Sequence, residues 1–152
     1  MVKILFICHG NICRSPMAEF MMKAEVREAG LESRFRIDSA AVSREEIGNP
    51  IYPPAQRQLR AHGVPFDNHR ARQMTRGDYD AYDLLVGMDG SNLAAMRRIC
   101  GGDPDGKLRL LMEYTGTVRD VADPWYTGNF DAAWRDIESG CRALLDALRP
   151  SL

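Results

Sequence analysis

Val2-Lys3-Ile4-Leu5-Phe6-Ile7 runs directly into Cys8-His9-Gly10-Asn11-Ile12-Cys13-Arg14-Ser15-Pro16, and a helical period follows from Met17. The first six residues are almost continuously apolar, as in a strand buried on both faces of a parallel sheet. The loop contains a glycine, and Pro16 suits the first position of a helix capped by Ser15. Met17, Phe20, Met21 and Ala24 share one face of that helix, which extends to Ala29 and stops at Gly30. A strand, a tight loop and a helix in this order aim backbone N–H groups and a helix N-terminus into the loop. That is an anion site. A thiolate at Cys8 is stabilised there, and the Arg14 guanidinium is placed to clamp the oxygens of an anion.

The remainder of the chain repeats the alternation. Phe35 and Ile37 mark a second strand ending near Ala40-Ala41, and turn residues fill a loop from Ser43 to Pro54. A short helix is expected over Ala55–His62, closed by Gly63, and a helical turn over Asp78–Ala81, where Thr75 and Asp78 have capping-box spacing. Leu84–Met88 reads as a third strand. A helix from Ser91 turns Leu93, Met96 and Ile99 inward and ends at Gly101-Gly102. Leu108–Met112 reads as a fourth strand, although so short an apolar run also fits a helical turn. A loop over Glu113–Asn129 carries Asp123-Pro124-Trp125-Tyr126. The last helix has Phe130, Trp134, Ile137, Cys141, Leu144, Leu145 and Leu148 on its apolar face.

Alternating strands and helices predict one α/β domain over residues 1–152. Its sheet has four parallel strands, doubly wound with helices on both faces. Ligands of such sheets bind beyond the C-terminal ends of the strands. The Cys8 loop, the Ser43–Pro54 loop and the Asp123 loop all fall on that rim.

Composition narrows the function classes. Hydrophobic residues make up 45% and charged residues 27%, and the net charge is −1. Neither nucleic acid nor a membrane surface is called for. The N-terminal apolar run is too short for a signal segment, and nothing approaches the about 20 apolar residues of a membrane span. A cytoplasmic location is expected. The four cysteines, Cys8, Cys13, Cys100 and Cys141, form no disulfide framework, and no Cys or His pair completes a metal site with Cys8 and Cys13. No metal and no cofactor are expected. The chain is expected to act as a monomer or weak homodimer.

A thiolate attacking a phosphate ester needs an ionised nucleophile, a planar grip on the phosphoryl oxygens and an acid for the leaving oxygen. Cys8, Arg14 and Asp123 supply these three. Arginine suits position 14 better than lysine, because its fork matches the phosphoryl plane.

Five segments then carry a resemblance. Cys8-x4-Cys13-Arg14-Ser15-Pro16, Asp38-Ser39-Ala40-Ala41, Ala71-Arg72-Gln73, Met88-Asp89-x-Ser91-Asn92-Leu93 and Asp123-Pro124 together resemble the low-molecular-weight protein tyrosine phosphatase family. The similarity runs from about Lys3 to Leu148. It implies metal-free hydrolysis of a phosphotyrosine protein or an aryl phosphate through a phosphocysteine. It implies Cys8 as nucleophile, Arg14 as phosphate clamp, and Asp123 as acid and then base. His9, Gly10, Asn11, Ile12, Cys13 and Ser15 would complete the phosphate loop. Asn11 would hold its strained shape, since Asn tolerates left-handed backbone angles. Ser15 would hydrogen-bond the Cys8 sulfur, and His69 would brace Asn11. Cys13 is either a redox guard of Cys8 or a packing residue.

The substrate walls are expected from Trp125 and Tyr126 on one side and from Glu46 and Ile47 on the other. Tyr52 departs from the family pattern, which has an aspartate at that point, and is either wall or packing. Two rivals share the loop. Thioredoxin-coupled arsenate reductases need closely spaced relay cysteines, and Cys100 and Cys141 stand apart. Protein-arginine phosphatases resemble having a threonine at the position of Ile12, whose apolar side chain favours an aromatic ester. A non-catalytic phosphate-binding module needs neither Cys8 nor Asp123.

Overall fold

Alternating burial along the first strand organises the molecule. In the computed structural model, which describes residues 1–152, β1 (Val2–Cys8) buries Ile4 and Phe6 in one cluster and Leu5 and Ile7 in another. Successive side chains of a strand point to opposite faces, so these two clusters lie on opposite faces of the sheet. The larger one packs Ile4 and Phe6 against α1 (Arg14–Glu28) and α6 (Phe130–Leu148), through Met17, Met22, Ile137 and Leu144. The smaller one packs Leu5 and Ile7 against Met96 and Cys100 of α4 (Gly90–Cys100) and against Tyr79 and Tyr82.

β2 (Phe35–Ala41), β3 (Leu84–Gly87) and β4 (Leu108–Leu110) complete a four-stranded parallel sheet in the order β2-β1-β3-β4. Strand order reverses beside β1, which pairs with β2 from Val2↔Phe35 to Cys8↔Ala41 and with β3 from Ile4↔Leu84 to Ile7↔Gly87. In a doubly wound sheet this reversal opens the crevice that ligands occupy. Cys8 ends the strand at that point.

Three local readings are corrected. α1 begins at Arg14 rather than Pro16, and Ser15 does not cap it: its hydroxyl is turned to the sulfur of Cys8 instead. Ala24 is only partly buried, while Glu19 lies buried in the same helix. The fourth strand stops at Leu110, because the Glu113 carboxylate accepts the Leu110 N–H at 2.8 Å and starts a 3₁₀ turn over Leu111–Thr115. Elsewhere boundaries shift by one to three residues. α2 (Pro53–Ala61) starts on its proline, α3 (Asp78–Ala81) falls as expected, and Asp89 caps α4 one residue before Gly90. Gly140 allows α6 to close onto Leu111: a Cβ there would lie 2.5 Å from Leu111 Cγ. No helix is long and apolar enough to cross a membrane.

Candidate active site

The turn from β1 into α1 is made by Asn11, the single non-glycine residue with a positive φ, 59°. Asn pays least among non-glycine residues for that conformation, and here its side chain also fixes the loop from beneath. Its Oδ1 accepts the Arg72 N–H at 3.2 Å, which settles which way the amide points. His69 Nε2 lies 3.1 Å from the same oxygen and must therefore donate. The Nδ2 group donates to Ser15 Oγ at 2.8 Å and to Ser39 Oγ at 2.9 Å. Ser39 in turn donates to Glu19 Oε1 at 2.6 Å, and Lys23 Nζ holds Glu19 Oε2 at 2.6 Å.

Donor accounting sets the direction of the last bond. Ser15 Oγ accepts from Asn11, so its own hydrogen is free for Cys8 Sγ, 3.0 Å away; the alternative acceptor, Ala40 O, is at 3.5 Å. The Asn11 N–H also points at Cys8 Sγ, at 3.3 Å. The sulfur thus sits beneath a cleft with two donors on it, at the end of a buried polar chain anchored on Glu19.

Arg14 is 1% exposed, and every bond it makes comes from another part of the chain. Nη1 donates to Asp89 Oδ2 at 2.7 Å and to Val121 O at 2.8 Å, and Nη2 reaches Asp123 Oδ2 at 3.3 Å. Burial opposes its charge. The Cys8 thiolate, Asp89 and Asp123 outweigh burial and raise its pKa above the ordinary value. In Cys13 of the same loop, burial, then the charges of Cys8 and Asp123, outweigh the pull of Arg14 and push the thiol well above the ordinary range.

Asp123 caps the single turn α5 (Pro124–Thr127), its Oδ1 accepting the Trp125 N–H at 3.1 Å while Oδ2 faces Arg14. The loop is docked before it reaches Asp123, since the Val121 N–H donates to Met88 O just beyond β3. Cys8, Arg14 and Asp123 therefore meet in one cleft.

A family model described as low molecular weight phosphotyrosine protein phosphatase matches residues 3–151. The chain belongs to that family. The low molecular weight protein-tyrosine-phosphatase YfkJ of Bacillus subtilis is 38% identical over 151 residues, 98% of this chain and 97% of the relative. Its crystal structure superposes with a TM-score of 0.96 at 37% identity, covering 99% of this chain and 96% of that one. An arginine phosphatase from Drosophila, DARP, gives 0.87 at 30% identity over 96% of this chain and 97% of its own. Wzb of Vibrio vulnificus, in complex with benzylphosphonate, gives 0.85 at 28% over 97% and 99%.

Within this phosphatase family scaffold, the expected walls divide. Glu46, Trp125 and Tyr126 line the cleft. Glu46 lies so close over Gly10 that a Cβ there would stand 3.3 Å from its Cγ, and it is steadied by Asn49 Nδ2 at 2.6 Å. His9 and Glu45 close the same side, 3.0 Å apart. Ile47 is 55% exposed and lies outside the cleft, and Tyr52 stands behind Trp125 rather than in the wall. Asn11, Ser15 and His69 lie beneath the floor. No group of three or more His, Cys, Asp or Glu side chains is arranged to hold a metal ion.

Sequence reasoning passed over two carboxylates. Asp89 lies in a segment that carries the resemblance, but no role is read for it there; one of its oxygens caps α4 and the other serves Arg14, 75 positions away. Glu19 did leave a signal, a carboxylate among the apolar residues Ala18, Phe20 and Met22 of α1. A buried charge demands partners, and Ser39, Lys23 and the nearby His69 are the partners it has.

Proposed function

We propose that the chain hydrolyses phosphotyrosine in proteins, and small aryl phosphates, through a phosphocysteine. The observation that carries this reading is Cys8 Sγ at the base of a cleft, with donors at 3.3 and 3.0 Å and with Arg14 and Asp123 facing it. In the first step the Cys8 thiolate attacks phosphorus. The S–P bond forms, the ester P–O bond breaks, and protonated Asp123 gives its proton to the departing phenolate. Arg14 grips the phosphoryl oxygens with Nη2 and Nε, while Asp89 and Val121 keep Nη1 in place. In the second step the Asp123 carboxylate takes a proton from water. The water oxygen attacks phosphorus, the S–P bond breaks, and the Ser15 hydroxyl receives the thiolate as a hydrogen-bond acceptor.

Ile12 and the aromatic rim support an aryl ester over a guanidinium phosphate, although one similar structure is an arginine phosphatase. An arsenate relay finds no support, because Cys100 and Cys141 belong to cores on opposite faces of the sheet. The test assays a phosphotyrosine peptide, an aryl phosphate and phosphoarginine side by side. Hydrolysis of the first two is expected, with none by Cys8→Ser and a loss of about 10²- to 10⁴-fold by Asp123→Ala. Undiminished turnover by Cys8→Ser overturns the mechanism, and preferred turnover of phosphoarginine overturns the substrate class.

A further inference from the structure

Tyr52 touches both halves of the catalytic apparatus without lining the cleft. Its backbone N–H donates to Ile12 O of the phosphate loop at 2.9 Å, and its side chain packs against the small cluster of Ile12, Cys13 and Ala71. The same ring lies against the Trp125 indole, with centroids 4.8 Å apart at 54°, and is 6.1 Å from Phe130 at 30°. Trp125 is itself 50% exposed and belongs to a helix of one turn, too short to be stable by its own hydrogen bonds. What that turn does hold is the acid: Asp123 Oδ1 is bound to the Trp125 N–H.

We infer that Tyr52 is a positioning residue for Asp123, seating Trp125 and thereby fixing the acid over Cys8. The inference rests on the reading of Asp123 as general acid. An aromatic face is what the role requires, since Tyr52 meets Trp125 and Phe130 through its ring. Losing one aromatic pair lowers the population of the seated arrangement by about two- to tenfold.

The test is the dependence of kcat/KM on the pKa of the leaving phenol across a series of aryl phosphates. Loss of proton delivery hurts weakly acidic phenols most, so it steepens the dependence; a general loss of folding or of substrate binding shifts all phenols alike. Tyr52→Ala is expected to steepen it, with a loss of about two- to tenfold on the least acidic phenols. Tyr52→Phe is expected to follow the parent protein. Tyr52→Leu, which refills the space without an aromatic face, is expected to resemble Tyr52→Ala and serves if the alanine variant does not fold. In a Trp125→Ala background, Tyr52→Ala should add no further steepening. Parallel losses on all phenols, or Tyr52→Phe behaving as Tyr52→Ala, overturn the inference. Asp123→Ala separates the two levels: if it steepens the dependence and the Tyr52 variants do not, Tyr52 alone loses its role. If Asp123→Ala leaves the dependence unchanged, the acid assignment falls and the positioning role falls with it.

Discussion

At the floor of the cleft Asn11 is wholly buried and its side chain makes four hydrogen bonds, to Ser15, Ser39, His69 and the Arg72 backbone. At the rim Tyr126 is 80% exposed. Floor residues are held from several segments at once, whereas rim residues have one or two contacts each, such as Glu46 with Asn49 and Trp125 with Tyr52. The difference has a physical consequence. A strained backbone persists only when its surroundings over-determine it, so the floor cannot vary without loss of both fold and chemistry. Rim side chains can change at little cost to either, so substitutions there should alter substrate preference before they alter the fold.

Asn11→Ala breaks this contrast most directly. A left-handed alanine costs about 1–2 kcal/mol. Leaving Ser15, Ser39 and the Arg72 N–H short of a partner costs a further 1–3 kcal/mol or so. Displacing the Cys8 loop lowers kcat by about 10²-fold. Asn11→Gly keeps the conformation and loses the side chain, so it should recover about 1 kcal/mol of stability and little activity. Urea unfolding and initial rates on the two variants check both figures. Parent-like unfolding together with parent-like rates in Asn11→Ala would mean that the floor is no more constrained than the rim.

Asp89 comes next, because its two oxygens do different work. Oδ1 accepts the Asn92 N–H at 2.7 Å and caps α4, while Oδ2 holds Arg14 at 2.7 Å. Asp89→Ala should lose about 1 kcal/mol of stability with the cap and about tenfold in rate with the Arg14 contact. Asp89→Ser keeps a capping oxygen and should restore the stability alone. The sign of the Arg14 shift adds a second check. Asp89 raises a pKa that is already far above the assay range, so its removal leaves the guanidinium charged. The pH–rate profile should therefore fall in height without moving. A displaced profile would show that Asp89 does more than hold Arg14 in position.

The contrast between floor and rim also separates what the sequence reveals from what it hides. β1, α1, the anion loop and the doubly wound sheet follow from local rules: an apolar run, a glycine, a proline at a helix start and alternating periods. The capping reading of Ser15 fails for an instructive reason, whereas the contact with the Cys8 sulfur that the resemblance implied is present. Capping is the best local use of a serine before a proline, yet the hydroxyl is spent on a sulfur seven residues earlier, and the helix starts without a side-chain cap. The site roles of Asp89 and Glu19 escape because Arg14 and Ser39, the partners that tie them to the cleft, lie in other segments, which no local pattern encodes. Ile47 and Tyr52 sit in the right loop, but sequence order does not say which side of a loop faces a cleft.

The smallest expected effect concerns the two cysteines of one loop. Cys8 receives two hydrogen bonds, whereas Cys13 is buried beside the charges of Cys8 and Asp123, and its thiol is pushed well above the ordinary range. A raised thiol pKa means that the protonated form persists to higher pH, and only a thiolate alkylates readily. Below about pH 9, iodoacetate should therefore modify Cys8 alone among the pair. Cys13→Ser should change the inactivation rate by less than about twofold, the small remainder reflecting repacking. A second alkylated thiol near neutral pH, located by peptide mass mapping to Cys13, would show that the loop donors serve both sulfurs and that the floor is less selective than its hydrogen bonds imply.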